Sequence, residues 1–152
     1  MPRVICLLSM TYAIASTALP PAADAEDAIN LRLTLRDTDT GELVPGRITL
    51  EQRPVGGPHV YHFVKSLDPE GTAIPYDVTR GPDSLEKHTT VSAHPFGASV
   101  PPGLYVIYYA HGPEWRGNKT HVWVKEGEVA EQELQITRWI DMNGRGWYSG
   151  DT

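Results

Sequence analysis

The sequence predicts an all-β fold, an antiparallel β-sandwich of about seven strands that follows an N-terminal export signal. Apolar and polar residues alternate with a period of two in several segments, and residues typical of turns separate these segments. No segment beyond the signal shows the apolar period of a helix, and the 13 prolines and 14 glycines disfavour long helices. Because each sheet must bury its apolar face against another layer, two packed sheets are expected.

The overall composition fits one domain and excludes some classes of partner. A chain of 152 residues has room for one domain of ordinary size. Its formal net charge of -6 argues against a basic nucleic-acid-binding surface and against attraction to an anionic membrane. We therefore expect no nucleic-acid partner and no membrane partner once the export signal has been removed.

Residues 1–25 are predicted to be a signal peptide. Arg3 supplies the positive charge, residues 4–19 are mostly apolar, and residues 23–25 offer the small-x-small pattern of a cleavage site after Ala25. Cleavage at residues 16–18 is a weaker alternative. An uncleaved anchor is another, although the apolar run is shorter than the roughly 20 residues a spanning helix needs. The protein is thus expected in the periplasm or outside the cell. Cys6, the only cysteine, would leave with the signal, so the mature domain would have no disulfide.

The strands can be placed from the alternation. Residues 29–35 and 47–52 are predicted to form an N-terminal hairpin around the turn at residues 37–42. Residues 104–110 are apolar on both faces, which predicts a central strand. Between residues 53 and 86 only the segment 60–65 reads as a strand, and the rest is expected to be loop and a candidate location for a binding surface. The remaining strands are predicted at residues 87–93, 119–125 and 129–137, the last anchored by Val129, Leu134 and Ile136.

The six histidines do not predict a metal site. Several ligands must converge at about 2 Å from one ion. His59 and His62 are three residues apart, and in a strand such positions point to opposite faces, so both are predicted to be surface histidines. The other four are expected to be scattered strand and loop residues: His88, His94, His111 and His121.

Other chemical motifs are weak. Asp83 and Ser84 near His88 are hydrolase residue types, but without a Gly-x-Ser-x-Gly elbow they predict no triad. Residues 118–120 form an N-glycosylation sequon, which matters only in a eukaryotic source. No catalytic, cofactor-binding or metal-binding residue is predicted in this chain. Five aromatic residues favour core and inter-domain packing, with a carbohydrate- or peptide-binding face as the alternative: Tyr105, Tyr108, Tyr109, Trp115 and Trp123.

Two segments resemble a known sandwich family. Residues 37–48, DTDTGELVPGRI, resemble the opening hairpin of carboxypeptidase-regulatory-like, transthyretin-like sandwiches. Residues 100–106, VPPGLYV, resemble the Pro-Pro-Gly-x-Tyr entry into a late strand of those folds. The resemblance implies a sandwich of the transthyretin-like or immunoglobulin-like kind.

Residues 138–152, RWIDMNGRGWYSGDT, resemble the lead-in to a PHP-type metallohydrolase domain of the CehA/McbA-like branch. In that family Gly-Trp-Tyr-Ser-Gly-Asp-x is followed by a His-x-His pair that ligates metal, and this sequence reaches x. The resemblance implies an N-terminal accessory sandwich over residues 26–138, with residues 139–152 as linker and the first residues of a catalytic domain. That domain would be the partner packed against Trp139, Trp147 and Tyr148.

The family resemblance also implies what the parent enzyme does. Two or three divalent metals would activate water for hydrolysis of a phosphoester or an amide-like bond. Asp151 would lie at the edge of that site, but a single carboxylate cannot hold a metal. A free-standing exported binding module for glycan or protein is the second hypothesis. Residues 139–152 are expected to have few backbone partners, with folding back onto the sandwich as the alternative.

Overall fold

A computed structural model describes residues 28–147 except 82–83, and it confirms an all-β sandwich. The described part contains ten strands, several of them very short, and one short 3₁₀ helix. In chain order the elements are β1 (Leu31–Asp37), β2 (Gly46–Gln52), β3 (Val60–His62), β4 (Lys65–Ser66), β5 (Ala73–Gly81), β6 (Ser84–Val91), β7 (Phe96–Ala98), β8 (Gly103–Ala110), β9 (Asn118–Val124), β10 (Ala130–Ile136) and the 3₁₀ helix (Asn143–Arg145).

The strands form two sheets with the core between them. The smaller sheet has four strands in the order β10-β1-β7-β4, and the larger has the path β5-β6-β2-β8-β9, with β3 also paired to β2. All pairings are antiparallel except β1 with β10, which is parallel. In β1, β2, β8, β9 and β10 alternate residues point into the core, as the two-residue period predicted. The largest fully buried side chains are Tyr105, Phe96, Leu31, Leu33, Leu35, Ile48, Leu50, Ile107, Leu134, Ile136, Val91 and Val124.

Strand β8 is central, as predicted, because it lies between β2 and β9. Its core face carries Tyr105, Ile107 and Tyr109, all buried. The Tyr105 hydroxyl donates a hydrogen bond of 2.7 Å to the Pro101 carbonyl oxygen. This bond ties the start of the strand back to the Pro-Pro-Gly corner. It explains physically why a tyrosine follows that corner in the VPPGLYV segment.

The predicted N-terminal hairpin is wrong, because β1 and β2 lie in different sheets. After β1 the Asp37 carboxylate accepts hydrogen bonds from the Asp39 backbone N–H and the Thr40 hydroxyl, which forms the predicted turn. The chain then crosses to the other layer with a single bridge between Arg36 and Leu43. Alternation fixes which side chains are buried, but it does not specify which strand pairs with which.

The prediction of loop over most of residues 53–86 holds for residues 53–59 and 67–72 but is wrong from residue 73 onward, where the described residues form β5 and the start of β6. The predicted strand at residues 60–65 is divided into β3 and β4, which belong to different sheets. Strand β5 pairs with β6 along its whole length, and β6 begins three residues before the predicted start at residue 87. Strand β5 could not be predicted from an apolar pattern, because it is the edge strand of its sheet. Edge strands tolerate a proline such as Pro75 and exposed side chains such as Ile74.

Two smaller features were missed. Strand β7 is short and contains Gly97, where an added Cβ would lie 2.6 Å from the Leu31 carbonyl oxygen, so the close strand contact needs glycine. Val129 is 53% exposed and precedes β10, so it is not the predicted anchor, whereas Leu134 and Ile136 are buried as expected.

Some sequence predictions fall outside the described residues. These are the signal peptide of residues 1–25 with Cys6, and the positions of Asp83, Tyr148 and Asp151. Among the described residues, no helix has the length and apolar character required to cross a membrane.

Candidate functional site

The outer face of the six-stranded sheet is the first candidate surface. It comprises the side chains of β2, β8 and β9 that point away from the core, at positions 47, 49 and 51, 104 to 110 in steps of two, and 119, 121 and 123. The pairing register places Glu51 opposite Val106 and Val106 opposite His121. This face is therefore a mixed surface of charged, aromatic and aliphatic groups.

A charged network covers one end of this outer face. The Glu51 side chain is only 4% exposed, and its Oε1 lies 3.0 Å from Arg53 Nε and 2.5 Å from His59 Nδ1. Arg53 Nη2 also donates a 2.7 Å hydrogen bond to the Tyr108 hydroxyl oxygen. A carboxylate buried this far needs such partners. The bond to Glu51 also raises the pKa of Arg53 above its usual range.

Next to this network, at the same end of the outer face, lies an apolar and open area. Trp123 is 61% exposed and lies opposite Leu104, which is 41% exposed, across β9 and β8. The outer face of central strand β8 is therefore covered at Val106, which is 4% exposed, but open at Leu104, so the predicted burial of both faces holds only in part. A large ring beside an exposed leucine is the kind of surface that proteins use for recognition.

The C-terminal segment, residues 138–147, is the second candidate surface. It is attached to the loop before β9 mainly through Glu114. The Glu114 carboxylate accepts hydrogen bonds from the Arg138 guanidinium, at 2.9 Å from its Nε, and from the Met142 backbone N–H at 3.1 Å. The Glu114 carbonyl oxygen accepts a 3.0 Å bond from the Trp139 backbone N–H. Hydrogen bonding to Glu114 raises the pKa of Arg138.

The C-terminal segment also holds itself together. Asp141 Oδ1 accepts hydrogen bonds from Arg138 Nη2 and from the Gly144 backbone N–H, both 2.8 Å long. The Trp147 backbone N–H bonds to the Met142 carbonyl oxygen at 2.9 Å. The expectation of few backbone partners for this segment is therefore wrong up to residue 147, and the alternative of folding back onto the sandwich describes its backbone better.

The indole rings of the C-terminal segment remain open to solvent. Trp139 is 54% exposed, although its Nε1 donates a 3.0 Å hydrogen bond to the Pro113 carbonyl oxygen, and Trp147 is 68% exposed. The segment thus combines a fixed backbone with two exposed tryptophans. Such an arrangement is suited to receiving another protein surface.

The histidines fall into separate environments. His62 is half-buried beside Tyr105, with its ring edge-on at 5.5 Å, and burial lowers its pKa. His88 stacks on Tyr76 at 5.0 Å, and burial followed by the charge of Arg47 lowers its pKa. His94 contacts the Ser92 hydroxyl. His111 packs edge-on against Trp115, and His121 is exposed on the outer face.

The structure brings none of these histidines into a described metal-ligand cluster. Within residues 28–147 apart from 82–83, no group of three or more His, Cys, Asp or Glu side chains is arranged to hold a metal ion. The aromatic residues singled out from the sequence divide. Tyr105 and Tyr109 are in the core and Trp115 packs against it, whereas Tyr108 is half-buried and Trp123 is exposed.

Sequence reasoning missed the groups that organise both surfaces, Glu51 and Glu114. Glu51 and Arg53 are two residues apart at a strand end, a spacing that places both on one face and could have suggested the pair. Glu114 lies in a loop far along the chain from Arg138, and no sequence pattern signals that contact.

No family model, no curated protein and no solved structure matches this chain. The family resemblance of residues 138–152 accordingly remains a prediction.

Proposed function

We propose that this chain is the non-catalytic N-terminal accessory domain of an exported, metal-dependent hydrolase of the PHP type. In this proposal the sandwich supports and positions the catalytic domain, while the metals and the activated water belong to that domain. The observation that carries the proposal is the C-terminal segment, whose backbone is fixed by Glu114 while Trp139 and Trp147 stay largely exposed.

The contacts of the C-terminal segment support a docking role over a flexible linker. A flexible linker needs no side-chain anchor, yet here Arg138 is bound by both Glu114 and Asp141. Ordering the segment in advance reduces the entropy lost when a partner packs against it. The catalytic domain is the occupant proposed for this surface, because the sequence that resembles its lead-in begins in the same segment.

The direct test is to sequence the transcript beyond the codon for Thr152. The proposal expects an in-frame continuation that begins with a His-x-His motif. A verified stop codon at that point would contradict it. In the longer protein, Trp139→Ala should uncouple the unfolding of the two domains in calorimetry, while Trp123→Ala, an exposed tryptophan on another face, should leave the coupling unchanged.

A free-standing binding module for glycan or protein is the second candidate, and the pair formed by Trp123 and Leu104 favours it. An exposed indole on a flat sheet face offers a stacking surface for a sugar ring or an apolar side chain. The test is a glycan-array and peptide-array screen with wild type and Trp123→Ala. Binding that is lost in Trp123→Ala but retained in Trp139→Ala would support this candidate.

A further inference from the structure

A shallow depression of ≈ 480 Å³ lies on the outer face where β2, β8 and the start of β9 meet. The pairing register places Thr49 opposite Tyr108 and Tyr108 opposite Lys119, so these three side chains stand abreast. Arg47 lies two residues before Thr49 on the same face. The residues that line the depression are Arg47, Thr49, Tyr108, Tyr109, Ala110, Gly117, Asn118 and Lys119.

The two cations of this depression are not used by the fold. No hydrogen bond or ion pair among the described residues engages the Arg47 guanidinium or the Lys119 ammonium group. Arg36, Arg53 and Arg138, in contrast, each bind a carboxylate. Arg47 and Lys119 are therefore available to a ligand.

The surroundings of Arg47 carry no compensating negative charge at close range. No acidic residue lines this depression, and none lines the adjoining depression of ≈ 450 Å³ on the other side of Arg47, which includes His111. This local excess of positive charge contrasts with the formal net charge of -6 for the whole chain. The nearest described carboxylate on β2, Glu51, is already bound by Arg53 and His59.

The walls of the depression are held in place. Tyr108 contributes its ring, and its hydroxyl oxygen accepts the hydrogen bond from Arg53, which fixes the ring orientation. Neighbouring strands are about 4.8 Å apart, so Lys119 and Thr49, two strands apart, are separated by about 10 Å at the backbone. Arg47 lies two residues from Thr49 along β2, which puts its backbone about 12 Å from that of Lys119, and the two long side chains can meet over one small group bound between them.

We propose that this depression binds a phosphate-type dianion, such as a phosphate monoester, between Arg47 and Lys119. A guanidinium presents a planar fork to two oxygens and an ammonium group supplies a point charge, so a dianion can use both, whereas a monocarboxylate satisfies one. The proposal goes beyond the accessory-domain function and does not depend on it, because the site lies entirely within the sandwich.

The test is a titration followed by amide NMR, with inorganic phosphate and acetate as probes at constant ionic strength. Phosphate should produce saturable shifts at residues 47, 49, 108 and 119, with an affinity roughly tenfold higher than that of acetate. Arg47→Gln and Lys119→Gln should each weaken phosphate binding by roughly tenfold. Lys125→Gln removes the same charge from a lysine paired with Glu128 away from the depression, and should leave the affinity unchanged.

Three results would overturn the inference. They are shifts that do not saturate, equal affinity for phosphate and acetate, or a loss in Lys125→Gln as large as in Arg47→Gln. The last result would mean that phosphate responds only to the net charge of the protein. Because all three lysine and arginine variants are at exposed positions, their melting temperatures should match wild type, which separates loss of binding from loss of folding.

Discussion

The interior of the sandwich and the C-terminal segment are held by different kinds of contact. The interior is a continuous set of buried apolar side chains contributed by both sheets. The C-terminal segment places most of its side chains in solvent and depends on hydrogen bonds that converge on Glu114. Interior stability is therefore distributed over many apolar residues, whereas several of the bonds that fix the segment meet at Glu114. Loss of an interior side chain should weaken the whole fold, and loss of the Glu114 side chain should loosen the segment while changing overall stability little.

The largest effect is expected in the interior. Leu134→Ala removes a fully buried side chain from β10 and should lower the free energy of unfolding by about 2–5 kcal/mol, because it leaves a cavity. Denaturant unfolding measures this loss. Val129→Ala, at the exposed position just before the same strand, is the matched control and should change stability by less than about 0.5 kcal/mol. Similar losses in both would show that Val129 is an anchor after all.

A substitution at Tyr105 tests the contribution of its hydrogen bond to Pro101, a polar contact within the apolar interior. Tyr105→Phe removes the hydrogen bond to Pro101 and should cost about 1 kcal/mol near neutral pH. Burial also raises the pKa of Tyr105 from 10.0 to about 12. The unfolded chain then loses this proton first as the pH rises, so the wild type should lose stability between these two values, by up to about 3 kcal/mol.

Tyr105→Phe should lack this component of the alkaline loss. Unfolding curves of wild type and variant on both sides of pH 10 provide the comparison. If the two proteins lose stability in parallel above pH 10, the Tyr105 hydroxyl ionises as readily in the folded protein as in the unfolded chain.

A substitution at His62 tests how the stability of the fold depends on acidic pH. Burial lowers its pKa, and its Nε2 has no hydrogen-bond partner among the described residues. As the pH falls below about 6.5, the unfolded chain binds a proton that the folded protein resists, so folding loses stability. His62→Phe keeps a ring beside Tyr105 and should reduce the acid sensitivity of the melting temperature. His121→Phe makes the same replacement at an exposed position and is the matched control.

The smallest effect on overall stability is expected at Glu114. Glu114→Ala should change the melting temperature little, since the contacts it removes lie at the surface. Amide exchange at Met142 should nevertheless become much faster, because its backbone N–H loses the Glu114 carboxylate as acceptor. Exchange at Trp139 should change less, because its acceptor is the backbone carbonyl oxygen of residue 114, which the variant keeps. Unchanged exchange at Met142 would show that packing, and not the Glu114 carboxylate, holds the segment. A large fall in melting temperature would make the segment part of the core.

The sequence predicted burial better than pairing. The alternation at Leu31, Leu33 and Leu35 identified three core residues correctly, because a strand with one buried face must alternate. The same pattern could not show that β1 and β2 belong to different sheets, since a hairpin and a crossing between layers bury the same residues. Edge strand β5 escaped notice because its side chains are mostly exposed, so it has no apolar pattern to detect.

Side-chain networks were the least predictable features. Glu51 joins Arg53 and His59 through the bend of a loop, and Glu114 joins Arg138 across 24 residues of sequence. The contacts of Glu51 with His59 and of Glu114 with Arg138 depend on backbone geometry that forms only once the sheets are assembled. The free cations at Arg47 and Lys119 could be recognised only once the structure had placed the acidic residues of the described chain away from their depression.

The parallel pairing of β1 with β10 sets the order in which the chain can fold. Leu31 faces Ala130 and Asp37 faces Ile136, so the first strand has its main partner about a hundred residues downstream. During synthesis the four-stranded sheet must wait with one side of β1 unpaired until β10 emerges, whereas β5 and β6 can form their hairpin locally. Such long-range closure is slow. We therefore expect the pairing of β1 with β10 to be a late step in the folding of this protein.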